Sequence, residues 1–330
     1  MIEFIFTVDY ELYGDGSGSL KDLVIEPADL LLGLFDKYRV PLVIFVEAAE
    51  FDLINQYKTD KDIDCVIRQV RSAYKKGHEI GLHIHPQWYN ARHDGAGWQT
   101  DRLEYNLCIL PEERIKAIVS RARNFIKFMV DDPGFDPISF RAGNWLFQPT
   151  QPAANILYDN EVRIDSSVFK GGRFKEYNVN YRTAMINGYF WKFEEDVAIE
   201  NRDGKMLEIP IYARMVPFWQ MVTQKRFFIE KGHERYHQDK KRRWGKIKDY
   251  FNLKYPKKLD FCRLTERELK GMIEFIIKTD CKSPSVYKPI VAIGHTKDLR
   301  DINAVEYLLN FLRDCKIPVT TFSRIYERVI

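Results

Sequence analysis

The chain has 330 residues, of which 45% are hydrophobic and 30% charged, and its formal net charge at pH 7 is +4. This composition is typical of a folded globular protein and excludes a chain that is disordered or low in complexity over most of its length. The five cysteines are far apart and form no CxxC pair, which argues against a disulfide scaffold and against a thiolate zinc site.

The beginning of the sequence holds one short apolar run, which is interrupted at Glu3 and ends at Asp9. This run is too short for a signal peptide, and nowhere in the chain do about 18 apolar residues follow one another. Together with the cysteine pattern, these features predict a cytoplasmic protein.

The small net charge hides an uneven distribution. Between Lys225 and Lys258 there are 13 basic and four acidic residues, so this segment carries +9 and the remainder of the chain carries −5. Aromatic residues are scattered through the same segment. We interpret residues 214–262 as a basic insertion in a single domain that spans residues 1–330, and a basic patch of this kind suggests an anionic partner.

Short β-rich runs alternate with amphipathic segments along the chain. The predicted strands are residues 2–8, 40–46, 78–84, 137–141, 162–164, 290–293 and 318–322, with further short strands in 185–212. The predicted helices are residues 27–38, 62–76, 112–130, 266–278 and 303–314. Uninterrupted apolar strands between helices predict an α/β fold with a parallel sheet, and the pattern leaves open whether that sheet is open or closed into a barrel.

Polar side chains follow the ends of several predicted strands, and functional groups of α/β proteins gather at such ends. These side chains are Asp9, Glu11, His83, His85, Arg141, Asn144, Asp165 and His295. Carboxylates, imidazoles and an arginine at one rim are what a metal-assisted hydrolase requires.

Each of these residues also has a structural interpretation. An aspartate after a strand is common as a turn or cap residue, and Arg141 would then simply pair with Asp165. The spacing of His83 and His85 is a metal-binding signal. We expect both to reach one ion only if the backbone bends, which Pro86 permits, because alternate residues of a flat strand face opposite sides.

The order of the motifs resembles that of the polysaccharide deacetylase (NodB-homology) superfamily of metal-dependent carbohydrate deacetylases. Residues 7–10 resemble its T-F-D-D strand end, and residues 77–83 (GHEIGLH) resemble its G-H-E-I-G-N-H element. Residues 140–144 correspond to its F-R element, 164–167 to a strand-end aspartate, and 290–295 to a hydrophobic strand that ends in histidine. The five motifs occur in the family's order over nearly the whole chain.

The resemblance implies a distorted (β/α) barrel with its site at the strand ends. It also implies a hydrolase that removes an acyl group, foremost N-acetyl, from a sugar in cell-surface polysaccharide biosynthesis, with a divalent ion, expected to be zinc. Two positions depart from the family pattern, because its second aspartate is Tyr10 here and its second histidine is Gln87. We therefore predict Glu11, His83 and His85 as the metal ligands.

By the same resemblance, Asp9 is the general base and His295 donates a proton to the leaving nitrogen. Arg141 orients Asp9, and Asp165 pairs with either Arg141 or His295.

Three residues beside the motifs are predicted to bind substrate. Asn144 lies within the F-R element. Trp88 and Trp145 would form a flat apolar wall for a sugar ring, or else they belong to the core.

The basic residues 225–258 lie outside the five motifs. They predict contact with a phosphate-bearing sugar, either nucleotide-linked or lipid-linked, or peripheral contact with an anionic membrane. The alternative is a solvated helical face with alternating charges. Nucleic-acid binding is the least supported option, because the segment contains no recognised nucleic-acid module.

Two other functions stay open. Tyr10 and Gln87 favour a non-catalytic glycan-binding relative that has lost its ion, which metal analysis would detect. A hydrolase of small cyclic amides or ureides on the same barrel is the other, and a closed pocket rather than an open groove would favour it.

Overall fold

An eight-stranded sheet forms the centre of the structure. The computed structural model describes residues 1–186, 188–217, 220–221 and 254–330. The strands in those ranges are β1 (Ile2–Tyr10), β2 (Val43–Glu47), β3 (Glu79–Ile84), β4 (Arg92–His93), β5 (Trp98–Gln99), β6 (Ser139–Ala142), β7 (Ile164–Asp165), β8 (Arg173–Phe174), β9 (Val179–Asn180), β10 (Trp191–Phe193), β11 (Met206–Glu208), β12 (Ala213–Val216), β13 (Tyr255–Lys258) and β14 (Lys288–His295).

The central sheet curls into a distorted barrel. Its strand order is β10-β11-β7-β6-β3-β2-β1-β14, and β10 runs antiparallel to β11 while the other neighbouring pairs are parallel. Beyond β11, Ile211 forms isolated bridges with Phe169 and Val291, and Val291 lies in β14 at the opposite end of the strand order. The two ends of the sheet therefore approach each other, and the predicted α/β fold with a distorted (β/α) barrel is confirmed.

Helices cover the outside of this sheet. In the described part of the chain they are α1 (Glu26–Tyr38), α2 (Ala48–Tyr57), α3 (Ile63–Lys75), α4 (Glu112–Val130), α5 (Ala153–Asp159), α6 (Glu266–Asp280), α7 (Ile302–Asp314) and α8 (Phe322–Val329). No helix in these ranges combines the length and the apolar character that are needed to span a bilayer.

The predicted helices are all present, with ends within two residues of those expected, and α4 matches at both ends. The predicted strand 318–322 is wrong, because Val319 makes only an isolated bridge to Phe4 and α8 already begins at Phe322. Helix α2 was not predicted. It starts directly after β2 because the side chain of Glu47 accepts the first free backbone N–H groups of the helix.

Side chains of each strand alternate between the barrel interior and the helix layer. In β1, the even-numbered residues from Phe4 to Tyr10 belong to the outer core, whereas Ile5 belongs to the inner cluster. Asp9 and, directly after the strand, Glu11 therefore face the interior with Ile5. The same alternation applies to the other central strands.

Apolar side chains close one end of the barrel. Phe45 of β2, Val291 of β14 and Phe322 of α8 belong to the same inner cluster. The backbone N–H of Ser323 in α8 donates to Oε2 of Glu79, at the start of β3, over 2.9 Å. This packing fills the end at which the strands begin, so that open space is left at their carboxyl ends.

The predicted insertion leaves and rejoins the barrel through an antiparallel ribbon. Strands β12 and β13 pair from Ala213 opposite Lys258 to Val216 opposite Tyr255. Residues 218–219 and 222–253, and with them most of the basic segment 225–258, lie outside the described residues. The single-domain division and the role of the basic segment therefore stay predictions.

Gly294 has no room for a side chain, and it directly precedes His295 in β14. An added Cβ would lie 2.4 Å from Sγ of Cys262 and 2.9 Å from the ring of Phe261. Since β14 is paired with β1 along its whole length, the strand cannot move away. We expect Gly294→Ala to lower the free energy of unfolding by about 1–3 kcal/mol, measured by urea denaturation.

Gly271→Ala is the matched control, because a Cβ on Gly271 in α6 meets no atom of the described residues within 4 Å. Alanine favours a helix interior, so we expect this variant to raise the free energy of unfolding by about 0.5–1 kcal/mol. If the Gly294 variant were as stable as the unaltered protein, the prediction would be wrong, because β14 would then be able to shift and accommodate the added Cβ.

Candidate active site and metal centre

A cavity of about 560 Å³ opens at the carboxyl ends of the central strands. This volume is within the range of pockets that bind small molecules. Seven of the ten predicted site residues line it, namely Asp9, Glu11, His83, His85, Asn144, Trp145 and His295. The sequence motifs therefore come together at the expected end of the barrel.

The carboxylate of Asp9 lies between two basic side chains. Nη1 of Arg141 donates to Oδ1 over 2.5 Å, and Nε2 of His295 is 3.3 Å from Oδ2. Asp9 and His295 are register partners in β1 and β14, so the sheet itself brings them together. Burial raises the pKa of Asp9, but the charges of Arg141 and His295 lower that pKa below its ordinary value. Asp9 is therefore ionised at neutral pH.

Arg141 is fully buried. Its other contacts hold the guanidinium in place, and the guanidinium in turn holds the carboxylate of Asp9. Nη2 donates to the hydroxyl of Thr7 and Nε to the carbonyl oxygen of Ser166, each over 3.0 Å. The guanidinium also lies 4.2 Å from the centre of the Phe45 ring. A planar guanidinium held at several donors has little freedom to rotate, so Asp9 has one preferred orientation.

Tyr10 stands at the position of the family's second aspartate, and its side chain points away from the cavity. Its hydroxyl donates to Oε1 of Gln69 over 2.5 Å, and its ring meets the Phe51 ring edge-on with centroids 5.6 Å apart. Tyr10 is therefore a core residue of the helix layer and offers nothing to an ion.

Glu11 lies on the same side as Asp9, because the two residues are two positions apart. Its Oε2 is 3.4 Å from Nε2 of His83 and 3.4 Å from Nδ1 of His85. Its Oε1 accepts from the ammonium group of Lys297 over 2.8 Å. The structure thus brings the three predicted metal ligands together.

His83 and His85 face the interior together, and no backbone bend is needed. The expectation of a bend was wrong, because residues two apart on a strand point to the same side. The ring centroids are 4.8 Å apart, and both side chains are buried. Nδ1 of His83 donates to the carbonyl oxygen of Arg141 over 2.7 Å, which directs Nε2 toward Glu11.

Glu47, at the end of β2, is a site residue that the sequence analysis missed. Its Oε2 is 2.8 Å from Nδ1 of His85 and accepts the backbone N–H of the same residue over 2.9 Å. Its Oε1 accepts the N–H groups of Ala49 and Glu50 at the start of α2. An acidic residue directly after a predicted strand was the available signal, since the same criterion selected Asp9.

The chemistry of these donors fits a divalent ion. Glu11, Glu47, His83 and His85 each offer one ligand atom, and these atoms lie within 4.8 Å of one another. Imidazole and carboxylate groups are the usual ligands of zinc and of other first-row ions. A metal-binding histidine commonly donates its other ring N–H to a carbonyl oxygen, as His83 does here.

The carboxylates of this cluster favour positive charge beside them. Burial lowers the pKa of His83, but the hydrogen bond to Glu11 and the charges of Asp9 and Glu47 raise it to about 9. A cluster that holds a proton this strongly is also suited to hold a cation.

Asp298 lies behind His295. Its Oδ2 is 3.6 Å from Nδ1 of His295 and 2.6 Å from Nη2 of Arg263. Burial lowers the pKa of His295, and the carboxylates of Asp9 and Asp298 oppose that shift without cancelling it. Asp298 thus takes the place behind the imidazole that the sequence analysis gave to Asp165.

Asp165 faces the helix layer, so its predicted pairing with Arg141 or His295 is wrong. The residue before it belongs to the inner cluster, and alternation therefore turns Asp165 outward. It accepts the hydroxyl of Ser167 over 2.6 Å and lies against Glu208, its register partner in β11.

Trp88 is fully buried, so its predicted role as a sugar wall is wrong. A short 3₁₀ turn, Pro86–Asn90, directs it behind α2, where it packs against Trp98 and Leu53. Gln87 in the same turn is also buried, and its amide has no hydrogen-bond partner in the described part of the chain.

Asn144 and Trp145 line the cavity from consecutive left-handed backbone positions, with φ of 55° and 58°. The ring of Trp145 meets His295 edge-on at 6.0 Å, and Nζ of Lys258 lies 3.1 Å from the centre of its ring. Oδ1 of Asn144 accepts from the hydroxyl of Tyr105 over 2.9 Å. Its Nδ2 is buried and has no hydrogen-bond partner within the described residues.

Comparisons with known proteins establish the fold. No protein-family model and no curated protein matches the sequence. A protein assigned as a polysaccharide deacetylase from Mycobacterium smegmatis superposes with a TM-score of 0.55 at 15% identity, over 99% of this chain and 90% of that one. The Puue allantoinase gives a TM-score of 0.52 at 10% identity, over 98% and 88% of the two chains. The 4-α-glucanotransferase from Thermococcus litoralis gives 0.53 at 11% identity, over 99% of this chain but only 38% of that enzyme.

At these identities the likeness concerns the fold alone. The chain has the type of barrel found in these proteins, so the fold that the resemblance of the five motifs implied is confirmed.

The carboxyl groups of Asp165 and Glu208 predict a pH-dependent stability. Burial raises the pKa of each group, and the neighbouring Asp165 raises the pKa of Glu208 further. The folded chain therefore keeps a proton that the unfolded chain releases near its ordinary pKa. Stability contributed by this pair is greatest at low pH and is lost as pH rises through the folded-state pKa values. We expect Glu208→Gln to reduce this loss as the pH rises above the ordinary pKa of a glutamate, measured by urea unfolding over a series of pH values.

The exposed Glu113 provides the control, since Glu113→Gln should leave the pH dependence of unfolding unchanged. Other buried carboxyl groups with raised pKa values, Glu50 and Glu79, contribute equally to each variant. Parallel stability curves for Glu208→Gln and the unaltered protein would contradict the prediction.

Proposed function

We propose that the chain is a metal-dependent hydrolase that removes an acyl group, foremost N-acetyl, from a sugar. One observation carries the proposal. The ionised carboxylate of Asp9, held by Arg141 and facing His295, shares a cavity with the Glu11, His83 and His85 cluster. A base, a proton donor and a cation site are the three components that hydrolysis of an unactivated amide needs.

Asp9 is the general base in this proposal. Its Oδ1 is occupied by Arg141, so Oδ2 is the oxygen that accepts a proton from the attacking water. The fixed guanidinium keeps the carboxylate ionised and oriented before substrate arrives, which avoids reorganisation during the reaction.

The ligands of the ion are Glu11, His83 and His85, with Glu47 against His85. A divalent ion bound there would supply a nucleophilic water at neutral pH and polarise the acyl oxygen. Zinc is the ion that we expect.

His295 is the proton donor to the leaving nitrogen. Its Nε2 is 3.3 Å from Oδ2 of Asp9, so the proton that the base accepts has a short path to the imidazole. Asp298 behind Nδ1 and the edge of Trp145 limit rotation of the ring. These contacts keep Nε2 directed into the cavity.

The size of the cavity supports a small substrate, such as one terminal sugar residue or a short saccharide. Two stacked rings, Tyr105 and Tyr177, whose centroids are 5.4 Å apart, line it beside Asn144. A phosphate on that sugar, or an anionic membrane, would meet the basic residues 225–258. This contact, a role in cell-surface polysaccharide biosynthesis and a cytoplasmic location are parts of the same proposal.

A second candidate is hydrolysis of small cyclic amides or ureides. The fold shared with the Puue allantoinase and the limited cavity volume favour it. Assays of a panel of N-acetylated sugars beside a cyclic ureide separate the two candidates. A purified protein with no bound ion and no chelator-sensitive turnover would instead support the non-catalytic glycan-binding alternative.

Asp9→Asn tests the base. The amide keeps the shape of the carboxylate but cannot accept a proton from water, so we expect turnover to fall by about 10²–10⁴-fold in an acetate-release assay. Asp15→Asn, the same change on the cavity wall, should retain activity. Activity of Asp9→Asn within about tenfold of the unaltered enzyme would exclude Asp9 as the base.

His295→Ala tests the proton donor. An amine leaving group needs a proton, whereas the anion of an activated ester does not, so we expect a much larger loss of rate on the amide than on the ester. Both rates come from the same purified variant, whose metal content is measured alongside. Equal losses on both substrates would contradict the assignment.

A further inference from the structure

Lys297 lies in the cavity and connects two neighbouring strands of the barrel sheet, β14 and β1, just beyond their carboxyl ends. It follows His295 by two residues, beyond the end of β14, while its partners belong to the segment that follows β1. Its ammonium group donates to Oε1 of Glu11 over 2.8 Å and to the carbonyl oxygen of Leu12 over 2.5 Å. Its side chain is only 12% exposed. Such a lysine is held at a fixed position, because a buried ammonium group needs its acceptors.

The carboxylates of Asp9 and Glu11 are held in the same manner. One oxygen of Asp9 is bound by Arg141 and its other oxygen faces His295. One oxygen of Glu11 is bound by Lys297, and its other oxygen faces His83 and His85. Each carboxylate therefore has one anchored oxygen and one oxygen that is available to the cavity.

Glu11 needs an anchor more than an aspartate would. A glutamate has one more rotatable bond than an aspartate, so fixing its carboxylate costs more conformational entropy. A free Glu11 carboxylate would occupy several positions along the cavity wall. The contact with Lys297 removes that freedom before an ion arrives.

The positive charge of Lys297 has the opposite effect on a cation. Like charges repel, so an ammonium group that acted only through its charge would weaken metal binding, and its removal would strengthen it. Positioning and charge therefore predict changes of opposite sign when Lys297 is replaced. This difference makes the two roles separable by experiment.

We propose that Lys297 is a positioning residue for the metal centre, which holds Oε1 of Glu11 so that Oε2 is presented to the ion beside His83 and His85. The inference rests on the metal-dependent function proposed above. The contact with Lys297 explains how Glu11 can act as a metal ligand, although the family pattern places an aspartate at position 10, where this chain has tyrosine.

Cobalt titration of the metal-stripped protein tests the proposal, because the visible absorption of bound Co²⁺ reports the number and geometry of its ligands. We expect Lys297→Met to weaken Co²⁺ binding by about 10–100-fold, as is usual when a residue that orients a ligand is lost. The absorption bands should change in position and intensity. Lys297→Gln, which keeps a donor but no charge, should restore part of both properties.

Lys257→Met is the matched control. Lys257 is as buried as Lys297 and lies 2.7 Å from a glutamate, Glu268, in an ion pair that lines no part of the cavity. Its replacement should lower the unfolding temperature in the same way and leave the cobalt spectrum unchanged. If Lys297→Met does not fold, Lys297→Gln alone carries the comparison.

A double-mutant cycle shows whether Lys297 acts through Glu11. In a Glu11→Asp background the shorter carboxylate cannot meet both Lys297 and the ion. Lys297→Met should then change Co²⁺ affinity by less than about twofold further.

Three results would overturn the proposal. They are tighter Co²⁺ binding by Lys297→Met with an unchanged spectrum, an undiminished effect in the Glu11→Asp background, and no Co²⁺ binding by the unaltered chain. These readouts need no substrate. If the unaltered chain binds Co²⁺ but turns over no acylated sugar or ureide, the proposed function fails while the role of Lys297 is still decided by the spectra.

Discussion

Strict alternation of side chains along parallel strands is the constraint on which the site depends. In a curled sheet, every second residue of each strand enters the interior, and Ile5, Phe45 and Val291 fill its lower part with apolar groups. The same rows of residues end in Asp9, Glu47 and His295 at the open end. Polar groups converge there because they occupy the last inward-facing positions of these strands. The earlier inward-facing positions hold the apolar residues of the inner core.

Charge inside this barrel is tolerated at Asp9 and Glu11 because each has a cation of fixed position. A buried, ionised carboxylate without a partner would be expensive, and Asp9 and Glu11 both avoid that cost. Arg141 belongs to β6 in the middle of the sheet, whereas Lys297 follows β14 at its edge, and each leaves one carboxylate oxygen free. The site is therefore polar and strongly buried while it keeps the lone pairs that proton transfer and metal binding need.

Periodicity and motif order allowed most of this architecture to be predicted. Helix α4 was predicted residue for residue because its apolar positions repeat cleanly, whereas α2 was missed because it begins without a break after β2 and is capped by Glu47. Motif spacing located the cavity residues. It failed for Asp165, whose direction depends on which face of a two-residue strand is inside, and for Trp88, which a 3₁₀ turn carries behind α2. Lys297 lies outside the motifs, so only the fold could connect it with Glu11.

The pairing of β1 with β14 has a consequence for how the protein is made. Asp9 and His295 are register partners, yet almost the whole of the described chain separates them. During synthesis on the ribosome, one edge of β1 therefore stays unpaired until β14 has been synthesised. Contacts between such distant residues form slowly, and an unpaired apolar edge is prone to aggregation meanwhile. The groups that would perform chemistry can meet only after this final pairing, so a nascent chain holds no assembled site.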